Sequence, residues 1–123
     1  MPVHLASEVQ GDVRVAYLKE ARILDEATIQ EIGAALTQLV NQTTDEKLLL
    51  NFQHVKFMSS AMLGKLVALN KLCKTSKVAL KLSNITPDIM QIFKLTALNK
   101  VFDIHDDEAA ALAAFTSKSG IIK

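Results

Sequence analysis

Residues 48–66 read LLLNFQHVKFMSSAMLGKL and carry most of the structural information in this 123-residue chain. The consecutive leucines begin an apolar run that is typical of a buried strand. A loop follows, and two serines, Ser59 and Ser60, then stand directly before a pattern with helical spacing. A serine in that place is a natural N-cap, because its hydroxyl accepts from backbone N–H groups that lack an intrahelical partner. The positive end of the helix dipole would also favour a phosphate there.

The residues before this stretch predict a hairpin and a helix. Strands are expected over Val3 to Ala6 and over Asp12 to Leu18, with turn-forming residues between them. Asp25 is a good N-cap for a helix that ends near Asn41, since apolar residues recur through it at helical spacing. The buried strand then runs over residues 47–52.

The residues after it continue the alternation of helix and strand. We expect a helix over 60–74, a strand over 77–82 and a helix capped by Thr86 with Pro87 at its first position. A short strand over 101–104 and a last helix opened by Asp106, Asp107 and Glu108 should follow. The fold class is therefore α/β: one domain over residues 1–123, with a mixed four- or five-stranded sheet and about four helices. The residues expected in the core are Leu49, Phe52, Leu66, Val78, Leu80, Ile92 and Phe93.

The composition excludes several classes of protein. Formal charge is +1, from 14 basic and 13 acidic residues, and aromatic residues make up only 5%, so a nucleic-acid surface is not expected. The single cysteine, Cys73, reads as a buried small hydrophobe. No apolar run approaches the roughly 20 residues of a membrane span, and no secretion signal is present. These features predict a cytoplasmic protein without membrane contact.

No pattern of catalytic residues is recognisable. His4, His54 and His105 lie outside any serine-nucleophile context, and neither a Gly-x-Ser-x-Gly motif nor a P-loop occurs. Cysteines and histidines are not spaced for zinc. The sequence therefore predicts a non-enzymatic protein with no catalytic residue, no cofactor and no metal.

The stretch around the serines resembles the STAS domain, the module of bacterial anti-sigma factor antagonists. Phe57, Met58, Ser60, Leu63 and Gly64 fall on positions of the family pattern, which reads loosely Phe-apolar-Asp-Ser-Ser/Thr-Gly-Leu-Gly. Residues 92–104, IFKLTALNKVFDI, are also similar to the family's wording, so the resemblance runs from about residue 11 to about residue 115. The chain departs from the pattern where Asp, Ser/Thr and Gly are usual, and it has Ser59, Ala61 and Met62 there.

The resemblance implies a function and a site. Family members bind an anti-sigma factor serine kinase, which phosphorylates the first serine of the pattern; that role falls on Ser60, with Ser59 as second choice. A phosphatase is a further possible partner. The implied partner-binding residues are Ser59, Ser60, Ala61, Met62 and Lys65. The alternative function is a scaffold or small-ligand-sensing module that has no phosphorylation cycle and is open to self-association.

Each of these residues also has a plainer interpretation. Ser60 alone would more often be a helix cap than a regulatory site. Met62 lies within the apolar arc of its helix and fits the core, although an exposed Met would suit partner contact and is the interpretation favoured here. Lys65 and Lys71 are expected to be solvated charges, with partner contact as the alternative.

Overall fold

The computed structural model describes residues 4–42 and 46–121. The strands are β1 (Leu5–Gln10), β2 (Val13–Leu18), β3 (Arg22–Ile23), β4 (Lys47–Asn51), β5 (Phe57–Met58), β6 (Ala79–Ser83) and β7 (Asp103–His105). The helices are α1 (Glu26–Gln42), α2 (Ser60–Thr75), α3 (Pro87–Leu95) and α4 (Glu108–Ile121), with a short 3-10 helix over Leu98–Lys100. The expected start of the first strand, Val3, lies outside the described residues.

Five strands form one mixed sheet in the order β1-β2-β4-β6-β7, which confirms the predicted fold class. β1 pairs antiparallel with β2, whereas β2, β4, β6 and β7 run parallel to one another. The hairpin between β1 and β2 closes where Gly11 has φ of 65°. That left-handed conformation costs glycine little because it has no Cβ.

Each face of the sheet buries its own set of apolar residues. On β2, Val15 packs towards α4, while Ala16 packs into the larger core under α1, α2 and α3. Leu49 and Leu50 divide in the same way on β4. Both faces of these parallel strands are therefore covered by helices, as the continuous leucine run of β4 indicates.

Three helices begin at side-chain caps, and two of these caps, Asp25 and Thr86, are the ones that the sequence predicts. Asp25 Oδ2 accepts from the amide of Thr28 at 3.0 Å, and Thr86 Oγ1 accepts from the amide of Ile89 at 3.4 Å. Before α4, Asp107 Oδ1 accepts from the amide of Ala110 at 2.8 Å. These bonds satisfy amides that the first helical turn leaves without partners.

The N-terminal turn of α4 is also tied to the sheet. The Tyr17 hydroxyl lies 2.9 Å from Glu108 Oε1, and Asn51 Nδ2 donates to the same oxygen at 3.1 Å. Burial, followed by the hydrogen bond to Glu108, raises the pKa of Tyr17 well above its ordinary value. The phenol therefore stays protonated, and this polar contact holds α4 over β2 and β4.

Some details differ from the sequence-based expectations. Leu80 and Ile92 are only partly buried, because they lie at the margin of the core rather than inside it. The last strand begins at Asp103 rather than Val101, since the preceding residues form the 3-10 helix and leave Val101 exposed. Lys77 adopts φ of 62° in a turn and so cannot start β6.

The strands β3 and β5 form a separate two-stranded parallel ladder that the sequence did not predict. Arg22 lies opposite Phe57, and Ile23 lies opposite Met58. Two residues are too few to show the alternation that marks a strand.

Among the described residues, no helix is long and apolar enough to cross a membrane.

Candidate functional site

The candidate site is the turn from β5 into α2, residues 59–62, called the serine turn below. Its backbone is held at both ends. The amide of Ser59 donates to the carbonyl oxygen of Ile23 at 3.0 Å, and the amide of Met62 donates to the carbonyl oxygen of Ser59 at 3.1 Å. Because Ile23 and Met58 are both buried in the core, the β3–β5 ladder fixes where α2 begins.

The two serines occupy different environments. Ser59, not Ser60, is the N-cap residue, with φ of −82° and ψ of 166°, but its hydroxyl makes no capping bond. The Ser59 Oγ is buried and has no hydrogen-bond partner among the described residues. Ser60 is the first helical residue and is exposed. The interpretation of Ser60 as the cap is therefore wrong by one position.

Met62 is fully buried, with 0% of its surface exposed. The expectation of an exposed partner contact at Met62 is therefore wrong. Met62, Leu66, Leu69 and Cys73 follow one another at intervals of four, three and four residues, the spacing of one helix face, and all four belong to the core under α1 and α2. This face turns the Met62 side chain into the core.

The exposed face of the same turn carries small residues. Ser60, Ala61 and Gly64 are all exposed, and a Cβ added to Gly64 would meet no other atom within 4 Å. The helix backbone is thus accessible on this side. A partner surface can approach it closely without displacing a side chain.

Lys65 is half-buried and spans the space between α2 and α1. Its Nζ donates to Gln30 Oε1 at 3.0 Å, and its stem lies on Gly33, where a Cβ would come within 3.0 Å of Lys65 Cδ. The side chain is thus held against α1. The sequence had predicted a freely solvated charge at Lys65, and this prediction is wrong. Lys71, in contrast, is exposed as expected.

Lys65 also lies at a groove of about 740 Å³ between α1 and α2. Gly33, Ala34 and Ala68 leave room for the groove, and amide and hydroxyl side chains such as Gln38 line it. The volume lies within the range usual for small-molecule sites.

An exposed apolar and cationic surface adjoins the serine turn. Phe57 and Leu24 are exposed by 47% and 46%, and the Arg22 guanidinium lies 4.9 Å from the centre of the Phe57 ring. No role of these side chains was predicted from the sequence. The sequence signal for this surface is the pair Lys56–Phe57, a charged and an aromatic residue that stand one residue before the serine turn.

The histidines and the cysteine have structural surroundings. His4 lies between two carboxylates, with Nδ1 2.5 Å from Glu20 Oε2 and Nε2 2.6 Å from Glu31 Oε1. His105 Nε2 lies 2.9 Å from Asp103 Oδ1, and His54 is exposed. Burial raises the pKa of the Cys73 thiol to about 11, so the thiol is a poor nucleophile.

The described residues contain no group of three or more His, Cys, Asp or Glu side chains that could hold a metal ion. No histidine there contacts the hydroxyl of Ser59 or Ser60. The described part of the site is thus an accessible serine on a rigid turn, without a base to activate it as a nucleophile.

A mixed sheet covered on both faces, with an exposed serine at the start of a central helix, defines a class of single-domain α/β modules. The family model of the STAS domain matches residues 4–111. The chain belongs to the STAS domain family.

Solved structures share the fold at low sequence identity. An anti-sigma factor antagonist from Mycobacterium paratuberculosis is 22% identical with a TM-score of 0.79, over 89% of this chain and 91% of that chain. A STAS domain protein from Planctomyces limnophilus is 19% identical with a TM-score of 0.79, over 91% and 97%. The phosphorylated form of the Bacillus cell fate determinant SpoIIAA is 18% identical with a TM-score of 0.66, over 89% and 98%. At these identities the likeness is one of fold.

Proposed function

We propose that this protein is an anti-sigma factor antagonist, a non-enzymatic protein-binding switch of the cytoplasm that is regulated by phosphorylation of Ser60. The observation that carries the proposal is the difference between the two serines. The Ser60 side chain is exposed at the first position of α2, whereas the Ser59 hydroxyl is buried. A kinase active site can reach Ser60 without unfolding the turn. Ser59 ranks second as the phosphorylated residue because its hydroxyl is buried.

The partner would bind the exposed face of the serine turn. Ala61 and Gly64 lie beside Ser60 and present almost no side-chain bulk. A partner can therefore pack against the helix backbone itself, and the Met62 side chain takes no part because it is buried. The partner in this proposal is an anti-sigma factor serine kinase, and a phosphatase would reverse its action. The phosphorylated and unphosphorylated SpoIIAA structures among the fold relatives support the class of mechanism.

The switch has a local physical basis. A phosphate on Ser60 would add about −2 charge to a surface that must lose its water on docking. The dipole of α2 would favour that charge in the free protein. Phosphorylation therefore stabilises the unbound form and opposes the complex, and the complex dissociates.

The test is phosphorylation of the purified chain by the purified serine kinase with ATP, followed by mapping of the modified residue by mass spectrometry. The expected result is one phosphate on Ser60, retained in Ser59→Ala and lost in Ser60→Ala. Phosphate on Ser59 in the parent protein, or modification of Ser60→Ala to the same extent, contradicts the assignment.

The second candidate function is a scaffold or small-ligand sensor without a phosphorylation cycle, and the groove between α1 and α2 favours it. That groove reaches Lys65 on the helix that starts at Ser60. A ligand there would act on the position of α2 and not on the Ser60 hydroxyl. A compound retained through purification, together with full partner binding by Ser60→Asp, would support this function over the first.

A further inference from the structure

We propose that a basic pocket beside the serine turn docks an acidic segment of the protein partner; the identity of that partner rests on the function proposed above. The basic pocket is lined by Lys19, Ala21, Gln53, His54 and Lys56 and has a volume of about 430 Å³. Two ammonium groups, an imidazole and an amide are its polar side chains. No carboxylate lines it.

The backbone under the pocket is fixed by hydrogen bonds. The amide of Lys56 donates to the carbonyl oxygen of Ala21 at 2.8 Å, and the amide of Lys19 donates to the carbonyl oxygen of His4 at 3.0 Å. The pocket lies just beyond the carboxyl ends of β2 and β4. In open α/β sheets, ligands bind outside the carboxyl ends of the strands.

The positive charge of the pocket is not compensated within the described part of the chain. Lys47 pairs with Asp12 at 2.6 Å, and Lys81 pairs with Asp103. Lys19 and Lys56 have no such carboxylate among the described residues. Glu20, the acidic residue next to Lys19 in the sequence, is instead 2.5 Å from His4. An acidic partner would supply the missing charge.

The aromatic side chain of Phe57 adjoins the pocket. The carbonyl oxygen of Ala21 accepts from Phe57 as well as from Lys56, so the half-exposed Phe57 ring, with Arg22 stacked on it, adjoins the two lysines. Arginine and aromatic residues are enriched where interfaces gain most of their binding energy. This combination fits a protein segment that carries both carboxylates and an apolar side chain.

The shape of the pocket argues against a small anion as the occupant. All five lining residues are exposed, so the pocket is shallow. Sites for small molecules usually enclose most of the ligand surface. A protein segment, in contrast, gains affinity from contact spread over a wider area.

The pocket is close enough to the serine turn for one partner to cover both. Ser60 lies four positions after Lys56, and an extended chain over four positions spans no more than about 14 Å. A standard interface buries about 800 Å² on each partner, which is ample for both features. The pocket would therefore make the interface more complementary in charge and speed association of the partner, while the Ser60 face provides the recognition of the serine.

The test needs no kinase in its first step. A hexaglutamate peptide is titrated into the full chain, and backbone amide NMR shifts are followed. The expected result is saturable shifts confined to the pocket residues and Phe57. Lys19→Gln/Lys56→Gln should weaken binding by about 10-fold, since it removes both ammonium groups of the pocket and exposed charge pairs are individually weak. The matched control, Lys71→Gln/Lys74→Gln, removes the same charge from an exposed part of α2 and should change binding less than about twofold.

Three results would overturn the proposal: no saturable shift, equal weakening by the control pair, or inorganic pyrophosphate that binds the pocket more tightly than hexaglutamate. The last would make the pocket a phosphate site.

The second step measures association of the serine kinase with the same variants. The lysine pair of the pocket should slow association more than the control pair, and added salt should reduce the difference. If hexaglutamate binds and the kinase does not, the proposed function fails while the acidic docking surface stands.

Discussion

The backbone amide of Ser59 donates to the carbonyl oxygen of Ile23 at 3.0 Å, and this bond links the start of α2 to the chain that leads into α1. It continues the pairing of Ile23 with Met58 in the β3–β5 ladder. Since Ile23 is fully buried, the serine turn is anchored in the core although its outer face is exposed. A site that must present one hydroxyl in a constant position gains from such an anchor.

The first prediction concerns this anchor. Ile23→Ala should lower the free energy of unfolding by about 2–5 kcal/mol, because it removes buried methyl groups and leaves a cavity. Urea unfolding followed by circular dichroism measures the loss. The neighbouring Leu24 is 46% exposed, so Leu24→Ala is the matched control and should cost less than about 1 kcal/mol. Similar losses for both variants would show that the ladder does not anchor the turn.

The second prediction concerns the cap of α2. Ser59→Ala should leave the free energy of unfolding within about 0.5 kcal/mol of the parent, because the Ser59 hydroxyl makes no capping bond. Asp25→Ala is the comparison, since Asp25 Oδ2 accepts from Thr28 at 3.0 Å. It should cost about 1 kcal/mol. A cost for Ser59→Ala as large as that for Asp25→Ala would mean that Ser59 caps its helix after all.

Much of the fold was predictable from local signals. Local sequence features predicted several elements correctly. They are the leucine run of β4, the caps Asp25 and Thr86, and Pro87 at the first position of α3. These signals act within a few residues, so neighbouring elements do not obscure them. The alternation of strands and helices predicted a mixed sheet, but the order of its strands, β1-β2-β4-β6-β7, was not predicted.

The details of the site depended on tertiary contacts. A run of two serines does not say which residue is the cap; the bond from Ser59 to Ile23 makes that choice, and its partner lies 36 residues earlier. The burial of Met62 had a sequence signal, the helical spacing to Leu66 and Leu69. The expectation of a partner contact outweighed that signal. The exposure of Phe57 follows from the β3–β5 ladder, which local periodicity does not reveal.

The third prediction concerns pH. The hydrogen bonds of His4, first with Glu20 and then with Glu31, raise its pKa above the ordinary value of 6.5. The folded protein therefore holds this proton more tightly than the unfolded chain. The resulting stability is fully present below pH 6.5 and is lost as pH rises through the folded-state pKa. Over that window, His4→Gln should lose less stability than the parent does.

Urea unfolding at a series of pH values measures this difference. His54→Gln is the control, because it removes an imidazole that is exposed in the folded protein. A constant difference between the parent and His4→Gln across the window would show that His4 does not exchange its proton on unfolding.

The fourth prediction concerns Cys73. Cys73 is 1% exposed, and burial raises the pKa of its thiol to about 11, so little thiolate exists at neutral pH. Iodoacetamide should therefore modify the folded protein far more slowly than the protein in urea. Mass spectrometry follows the reaction. Comparable rates in the two conditions would place Cys73 at the surface.

The last prediction concerns Ser60 itself. Ser60→Asp places a carboxylate in the first turn of α2, where the helix dipole should raise stability by about 0.3–1 kcal/mol. The same charge on the exposed face should weaken binding of the serine kinase. Ser60→Ala should leave stability within about 0.5 kcal/mol, since Ser60 is not the cap, and should retain binding without regulation.

Substitutions at Gly64 test the same face of α2 by adding bulk instead of charge. Because a Cβ at Gly64 would meet no atom within 4 Å, Gly64→Ala should stabilise α2 by about 0.5–1 kcal/mol. Gly64→Arg should fold equally well and yet bind the kinase less tightly, since its side chain would occupy the space beside Ser60. Unfolding in urea and calorimetric titration with the kinase measure both properties on the same samples. Parent-like affinity for Ser60→Asp and Gly64→Arg together would mean that the partner does not bind this face of α2.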